Sequence, residues 1–205
     1  MDSRTSDHAS DPDPFPFVPL KILVAGGFGV GKTTLVRAVS EITPVTTEAL
    51  ITTASARLDR LEGVEAKATT TVAMDFGRIS FPAHKLKLYL WGTPGQDRFW
   101  FMWDELSLGA VGAVVLIDTR RLTDSFPAVE YFLDRDLPFV VAVNEFDGAY
   151  RYTAAEIAEA LALRPDVPIV HCDARLARSV TDVLVAVVRH SLSLATTSAP
   201  TPNGS

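Results

Sequence analysis

Apolar residues along the chain fall into two kinds of segment, which alternate and predict strands and helices in turn. Short continuous apolar runs, typical of strands buried on both faces, occupy residues 20–25, 111–118 and 139–143. Longer segments with apolar residues on one face predict helices at residues 32–41, 99–108, 125–134, 153–163 and 176–194. Within the fourth helix, Thr153 and Glu156 have the spacing of a capping box.

Two further strands are predicted at residues 72–80 and 85–91, and a short last strand at residues 167–170. Only residues 81–84 separate the first two, so these strands are predicted to form an antiparallel hairpin. Elsewhere the alternation of strands and helices favours parallel pairing. We therefore predict an α/β fold of three layers, in which helices cover both faces of a mostly parallel six-stranded sheet with one antiparallel hairpin.

Composition predicts one domain with a tail at each end. The chain has 205 residues, of which 47% are hydrophobic, and this suits a single domain over residues 20–194. The acidic, proline-rich residues 1–19 and the small, polar residues 195–205 are predicted to be disordered. A net charge of −6 argues against non-specific binding to nucleic acid or to an anionic membrane.

The expected compartment is the cytoplasm. Cys172 is the single cysteine, so no intramolecular disulfide can form and a reducing environment is favoured. No signal peptide, membrane-spanning apolar run or lipidation motif is legible in the sequence. We expect no direct membrane anchor, and any membrane association should run through partners.

The strongest chemical signal directly follows the first predicted strand. Here the chain reads Gly26, Gly27, Phe28, Gly29, Val30, Gly31, Lys32, Thr33 and Thr34, with the spacing of a phosphate-binding loop. Glycines allow a tight turn whose backbone N–H groups point at phosphate oxygens, and the next helix adds its positive N-terminal dipole. Lys32 can then reach the β- and γ-phosphates, and the Thr33 hydroxyl can ligate Mg²⁺. The loop predicts a nucleoside triphosphate site.

Three more polar segments follow later strands, and the carboxyl ends of such strands are where ligands bind. They are Pro94-Gly95-Gln96, Asn144-Glu145-Phe146-Asp147 and Asp173-Ala174-Arg175. The same motifs occur in the same order in Ras-like GTPases. Over residues 20–194 the chain resembles the bacterial small GTPases of the gliding-motility and actinobacterial conservon type, usually labelled ATP/GTP-binding proteins. Residues 92–103 are especially similar to the conservon group.

The resemblance implies a guanine site at the last two segments. The Asp147 carboxylate would accept the ring N–H and the exocyclic amine of guanine, an arrangement that adenine does not present. Asn144 would tie the neighbouring loops together and contact the base. Ala174 would offer its backbone N–H to the guanine carbonyl oxygen, with Asp173 and Arg175 as flanking support. Taken alone, Asn-x-x-Asp is also found in ordinary turns.

The implied cofactors are GTP or GDP together with Mg²⁺. Gly95 would donate its backbone N–H to the γ-phosphate, and Gln96 would orient the attacking water. Thr71 lies in a segment similar to the first switch of Ras-like proteins, and it would ligate Mg²⁺ together with Thr33. The alternative interpretation of Thr71 is an ordinary threonine-rich strand entry. The residues expected to serve catalysis are Gln96, Thr71 and Lys32.

Two positions depart from the Ras-like pattern. Gly92 stands where an aspartate usually bonds Mg²⁺ through water, so hydrolysis is expected to be slow or to need a partner. We expect Gly92→Asp to tighten the Mg²⁺ dependence, unless the glycine serves a backbone angle that aspartate cannot adopt. Glu145 stands where a lysine stem usually packs over the base, which leaves the choice between GTP and ATP open.

The function that follows is a guanine-nucleotide-binding switch in bacterial signalling, with slow GTP hydrolysis. By resemblance its partners would be a roadblock-type, dynein light chain-like regulator and a sensor-kinase complex. Trp100 and Phe101 lie off the apolar stripe that carries Trp103 and Leu106, so they are candidates for a partner surface. The alternatives are a nucleotide-bound scaffold without turnover and, less favoured, a small P-loop kinase.

Several conspicuous residues are interpreted without a functional role. Asp75-Phe76-Gly77 matches a kinase tripeptide, but the other kinase motifs are missing from the sequence. Arg120 and Arg121 are expected to lie in a solvated loop, and Cys172 is expected to be a small packed residue.

Overall fold

A computed structural model describes residues 16–43, 45–52, 69–95 and 101–198. These residues form the strands β1 (Val18–Ala25), β2 (Val45–Thr52), β3 (Thr69–Phe81), β4 (Leu86–Gly92), β5 (Ala110–Ile117), β6 (Phe139–Asn144) and β7 (Ile169–Cys172). They also form the helices α1 (Lys32–Val39), α2 (Phe101–Ser107), α3 (Phe126–Asp134), α4 (Ala154–Ala160) and α5 (Ala177–Ser198). Strands and helices alternate from β4 onwards, as the apolar pattern predicts.

The seven described strands form one sheet in the order β2-β3-β4-β1-β5-β6-β7. The pairs β4–β1, β1–β5, β5–β6 and β6–β7 are parallel, and β3 is antiparallel to both β4 and β2. The α/β class, the mostly parallel sheet and the β3–β4 hairpin are therefore confirmed. All six predicted strands are present, and β2 adds a seventh strand and a second antiparallel pair.

The sequence of the additional strand β2 lacks the apolar pattern of a buried strand. It reads VTTEALIT and lies at one end of the strand order, paired only with β3. An edge strand has a single neighbour, so polar residues are tolerated along it and no continuous apolar run is required. Its β-branched residues are consistent with a strand, but they do not form the uninterrupted pattern that identified β5 and β6.

Two separate cores lie on the two faces of the sheet, because successive side chains of a strand point in opposite directions. On one face, Ile22, Val24, Leu90, Val114 and Leu116 pack with Leu35 and Val36 of α1 and with Val180, Val183 and Leu184 of α5. On the other face, Leu23, Ala113, Val115, Ile117 and Val141 pack with Trp103 of α2, Phe132 of α3 and Ile157 of α4. This arrangement confirms the three layers.

The ends of the domain extend beyond the predicted boundaries. β1 begins at Val18 rather than at residue 20, and α5 continues to Ser198 rather than ending at residue 194. Of the two predicted tails, residues 1–15 and 199–205 lie outside the described residues. Thr153 caps α4 through the predicted box, since its side chain accepts the Glu156 N–H and Glu156 accepts the Thr153 N–H. Among the described helices, none has the length and apolar character needed to cross a bilayer.

Candidate functional site

The phosphate loop leaves the carboxyl end of β1 and leads directly into α1. Gly26 and Gly31 adopt φ angles of 135° and 107°, which favour glycine. A Cβ atom at Gly31 would lie 2.8 Å from Nδ2 of Asn144, so the loop and β6 approach too closely for a larger residue. Gly31 also precedes the first turn of α1, which closes through the Leu35 N–H to the Gly31 carbonyl at 2.9 Å.

Lys32 lies inside the curve of this loop. Its Nζ donates to the carbonyl oxygens of Gly26 and Gly27, each at 2.8 Å. Burial lowers the pKa of Lys32 from 10.5 to about 8, and the nearby Asp75 carboxylate opposes that shift. Phosphate oxygens entering the loop would give the ammonium charged acceptors, which form stronger bonds than neutral carbonyls.

The remaining loop residues differ in exposure. Val30 is buried, whereas Phe28, Gly29, Thr33 and Thr34 are exposed. The loop thus keeps one apolar anchor in the core and presents its other side to a ligand. This is the arrangement that phosphate binding requires of it.

Gly95 comes from the carboxyl side of β4 and lies against the same loop. A Cβ atom there would lie 2.5 Å from Lys32 Nζ and 3.1 Å from the Gly27 carbonyl oxygen. The segment is held from both sides: the Thr93 N–H bonds the Val24 carbonyl at 2.9 Å, and Trp103 Nε1 bonds the Pro94 carbonyl at 3.3 Å. The backbone of Gly95 is therefore placed where a phosphate on Lys32 would meet it.

Gln96 and Thr71 are predicted to act with Gly95, and the structure describes only the second of them. Gln96 lies outside the described residues, so its role stays a prediction. The backbone of Thr71 lies within β3, opposite Leu50 of β2. It is four residues along the strand from Asp75, or about 13 Å at the rise of a β-strand. The structure therefore does not bring Thr71 to Thr33, because pairing with β2 holds this part of the chain in the sheet.

Asp75 contacts Thr33, the residue of the phosphate loop that is predicted to ligate Mg²⁺. The Thr33 hydroxyl donates to Asp75 Oδ2 at 2.5 Å. In the sequence, Asp75 stands out only as part of a kinase tripeptide to which no function is assigned. Its relevance follows from the strand register, since Phe76 of β3 lies opposite Trp91 of β4 and brings Asp75 beside Gly92. Counting outwards from the short hairpin connection could have revealed this contact.

Asn144 connects the phosphate loop to the segment after β7. This side chain is 6% exposed; its Nδ2 donates to the Val30 carbonyl at 2.9 Å, and its Oδ1 accepts the Ala174 N–H at 3.0 Å. The predicted linking role of Asn144 is therefore seen directly in its contacts. One buried amide fixes the distance between the two ends of the site.

Arg175 and two carboxylates form the opposite end of the site. The Arg175 guanidinium donates to Asp173 at 2.9 and 2.8 Å and to Asp147 at 3.3 and 3.4 Å. The Arg175 hydrogen bonds hold the pKa of the Asp173 carboxyl below its usual range. Both residues line a cavity of about 250 Å³ together with Asn144 and Asp147. Four of the predicted base-recognition residues are thus assembled around one opening. Ala174 is not among its lining residues, and its N–H, predicted to bind the guanine carbonyl, donates to Asn144 instead.

Glu145 and its partner Arg151 both line this cavity. Glu145 Oε2 accepts a hydrogen bond from Arg151 Nη2 at 2.8 Å. The following Phe146 ring lies under the Arg120 guanidinium, with 3.9 Å between Cζ and the ring centroid. Neither contact reproduces a lysine stem over a base.

Arg120 and Arg121 are exposed, as the sequence interpretation expects, but both side chains are paired with carboxylates. Arg120 forms hydrogen bonds of 2.9 and 2.8 Å with Asp118, a carboxylate that is 2% exposed at the end of β5. Arg121 donates to the Phe28 carbonyl of the phosphate loop at 3.2 Å and lies 3.7 Å from carboxylate oxygens of both Asp118 and Asp124. Arg121 therefore braces the phosphate loop, whereas Arg120 is held by Asp118 and contacts the Phe146 ring.

Side-chain burial bears on the sequence interpretations of Cys172 and of the aromatic residues on α2. Cys172 is buried, and this burial raises the pKa of its thiol to about 12, in agreement with a packed residue. On α2, Trp103 is 2% exposed, as predicted for the core stripe, whereas Phe101 is 57% exposed. Trp100 lies outside the described residues.

A larger cavity of about 920 Å³ lies near the opposite ends of the strands, away from these motifs. It is lined mainly by apolar residues, among them Val18, Leu20, Leu86 and Val188. We place the functional site at the phosphate loop, since the polar groups that can bind a nucleotide converge there.

The family described as "Conserved hypothetical ATP binding protein" matches residues 24–194. The chain belongs to this family. Among relatives, an uncharacterized protein of Methanocaldococcus jannaschii is 29% identical over 130 residues, covering 62% of this chain and 71% of the relative. The Ras-related protein Rab-7b of Homo sapiens is 27% identical over 168 residues, covering 77% of this chain and 75% of the relative.

Solved structures identify the fold of this family member. The G domain of the T. maritima FeoB iron transporter has a TM-score of 0.60 at 17% identity, over 85% of this chain and 99% of that domain. The cytosolic domain of the same transporter, in a form with GDP, has a TM-score of 0.62 at 16% identity, over 86% of this chain and 65% of that one. The fold is therefore that of P-loop GTPases.

Proposed function

We propose that the protein is a switch that binds GTP or GDP with Mg²⁺ and hydrolyses GTP slowly. The observation that carries this proposal is the Asn144 bridge, which joins Val30 of the phosphate loop to the Ala174 N–H. A nucleotide alongside this bridge would place its phosphates at Lys32 and its base at Asp147. The 27% identity with Rab-7b over 77% of the chain adds support for a guanine nucleotide.

The choice of guanine rests on the Asp147 carboxylate, although the family description names ATP. Guanine presents a ring N–H beside an amine, and a carboxylate can accept both. In the structure the Arg175 guanidinium donates to the two Asp147 carboxylate oxygens at 3.3 and 3.4 Å. These distances are long for charge-assisted hydrogen bonds, which are about 2.7–2.9 Å. Because 88% of the Asp147 side chain is exposed, a base can reach it.

We expect slow turnover because β4 supplies Gly92 where Ras-like proteins supply an aspartate that bonds Mg²⁺ through water. Glu145, which is paired with Arg151, bears on the affinity for the base rather than on the rate. A partner that completes the site would then control the rate, and this favours a switch over a constitutive hydrolase.

The biological setting we propose is signalling in bacteria of the conservon type. The exposed Phe101 on α2, next to the Pro94–Gly95 segment in sequence, is suited to bind a partner. The resemblance noted above suggests a roadblock-type regulator, with a sensor-kinase complex that would recruit this otherwise cytoplasmic protein to the membrane. Adding a purified roadblock protein to the hydrolysis assay tests this part of the proposal.

The function is tested by identifying the bound nucleotide and following single-turnover phosphate release from GTP. We expect guanine nucleotide in the denatured supernatant, slow release by the parent and slower release by Gln96→Leu at unchanged affinity, since only transition-state contacts are lost. Lys32→Ala is the control that should not bind GTP. Absence of any phosphate release would favour a scaffold, and phosphate transfer to an added metabolite would favour a kinase.

A further inference from the structure

A side chain at Gly92 would compete for space with Asp75 of the neighbouring strand. A Cβ atom at Gly92 would lie 3.2 Å from the Asp75 Cβ, a tight contact. Gly92 does not adopt a left-handed φ, so the backbone angle is not what requires glycine here. The glycine instead leaves room for the side chain on β3. On this geometry we no longer expect Gly92→Asp to tighten the Mg²⁺ dependence.

Asp75 uses this room to reach the phosphate loop. Its Oδ2 accepts the Thr33 hydroxyl at 2.5 Å, and its charge stabilises the ammonium form of Lys32. Both contacts join residues on adjacent elements, because α1 packs over β3 and β4. The carboxylate therefore stands beside the hydroxyl that the phosphate-loop motif assigns to the metal.

The donor set at this point suits Mg²⁺. Magnesium binds oxygen atoms and is usually held by one or two protein groups together with waters and substrate phosphates. The Thr33 hydroxyl and the Asp75 carboxylate are two such groups, and Lys32 marks the adjacent phosphate position. When bound, the ion would neutralise phosphate charge. Thr33 and Asp75 would hold it directly or through water.

We propose that Asp75 replaces the carboxylate missing at Gly92, so that the acidic partner of the metal comes from β3 instead of β4. The inference rests on the proposed nucleotide function. It assigns a role to a residue that the motifs leave out, and it explains why Gly92 is small. A simpler role for Asp75, as a counter-charge for Lys32 alone, makes a different prediction about Mg²⁺.

The test is the affinity of a fluorescent GDP analogue with saturating Mg²⁺ and with EDTA. The ratio of the two affinities is the Mg²⁺ dependence. For Asp75→Asn we expect this ratio to fall by about 10- to 100-fold, the usual effect of losing an outer-shell metal partner. If Asp75 only balances Lys32, the substitution would change both affinities equally. The matched control is Asp182→Asn, which alters an exposed carboxylate on α5 and should keep the parental ratio.

A reciprocal exchange tests the placement of the carboxylate. Gly92→Asp alone should not raise the Mg²⁺ dependence, because two carboxylates would crowd one position. Combining it with Asp75→Gly moves the carboxylate across the strands and should recover at least part of the parental ratio. Thermal unfolding of each nucleotide-free variant checks folding.

The outcomes separate this inference from the proposed function. A parental Mg²⁺ dependence in Asp75→Asn, or an equal change with and without Mg²⁺, would overturn the inference and leave the nucleotide function standing. A parent protein that binds no guanine nucleotide would overturn both. Measuring bound Mn²⁺ by electron paramagnetic resonance gives a readout of the metal itself, and Asp75→Asn should weaken that binding too.

Discussion

The buried ammonium of Lys32 predicts that nucleotide affinity falls as the pH rises through about 8. Burial lowers the pKa of this lysine to about 8 in the free protein. Phosphate oxygens beside it favour the charged form, so its pKa in the complex should lie higher. Affinity is then highest below the lower pKa and falls above it, because the neutral amine must gain a proton before it can bind phosphate as an ammonium.

The size of the effect follows from that pKa. One unit above it, only about one tenth of the free protein carries the charge, so affinity should fall about tenfold, or about 1.4 kcal/mol. The stability of the nucleotide-free protein should change in the opposite direction. The pKa is about 8 in the folded state and 10.5 when unperturbed. The unfolded chain therefore binds more protons between these values, and folding stability should rise with pH across that window.

The assay is calorimetric titration with GDP and saturating Mg²⁺ between about pH 7 and 9, with urea unfolding of the nucleotide-free protein extended to about pH 10. Lys32→Met should bind GDP weakly, and neither its GDP affinity nor its folding stability should show this dependence on pH. Lys21→Met is the matched control, since Lys21 also donates to a backbone carbonyl, at Leu108, but lies away from the loop. Constant parental affinity over this range, or the same slope in Lys32→Met, would refute the reasoning.

Two further predictions concern the fold around the site. Gly31→Ala should abolish nucleotide binding, because its Cβ would lie 2.8 Å from Asn144 Nδ2. Gly109→Ala is the control, since Gly109 also has a positive φ but lies in open space. This substitution should cost only about 1–3 kcal/mol of backbone strain and leave the affinity for nucleotide unchanged. Phe132→Ala should lower the free energy of unfolding by about 3–5 kcal/mol, as its ring is fully buried. Phe126→Ala, on the exposed side of α3, should cost far less in the same denaturant titration.

The central part of the fold could be predicted because its sequence signals are local. β5 and β6 are continuous apolar runs, and the start of α4 is encoded by Thr153 and Glu156. β2 could not be predicted in the same way, because an edge strand is stabilised by pairing with β3 rather than by burial of its own residues.

The functional site shows the same difference between local sequence signals and contacts that depend on the fold. The phosphate loop and Asn144 were predicted because fixed spacing carries their chemistry, and the structure joins them through one hydrogen bond of 2.9 Å. Asp75 was missed because its role depends on the register of β3 against β4, which no single motif encodes. The pairing of Arg120 and Arg121 with Asp118 was missed for a related reason, since the sequence does not show that this carboxylate is buried.

The measurement that tests the central claim most directly is competition between GTP and ATP for the parent protein and for Asp147→Asn. We predict that the parent prefers GTP, and that Asp147→Asn loses this preference because its amide offers a donor where guanine needs an acceptor. Glu145→Gln, in the same loop but paired with Arg151, should keep the parental ratio. Equal or tighter binding of ATP by the parent, or an unchanged ratio in Asp147→Asn, would contradict the account.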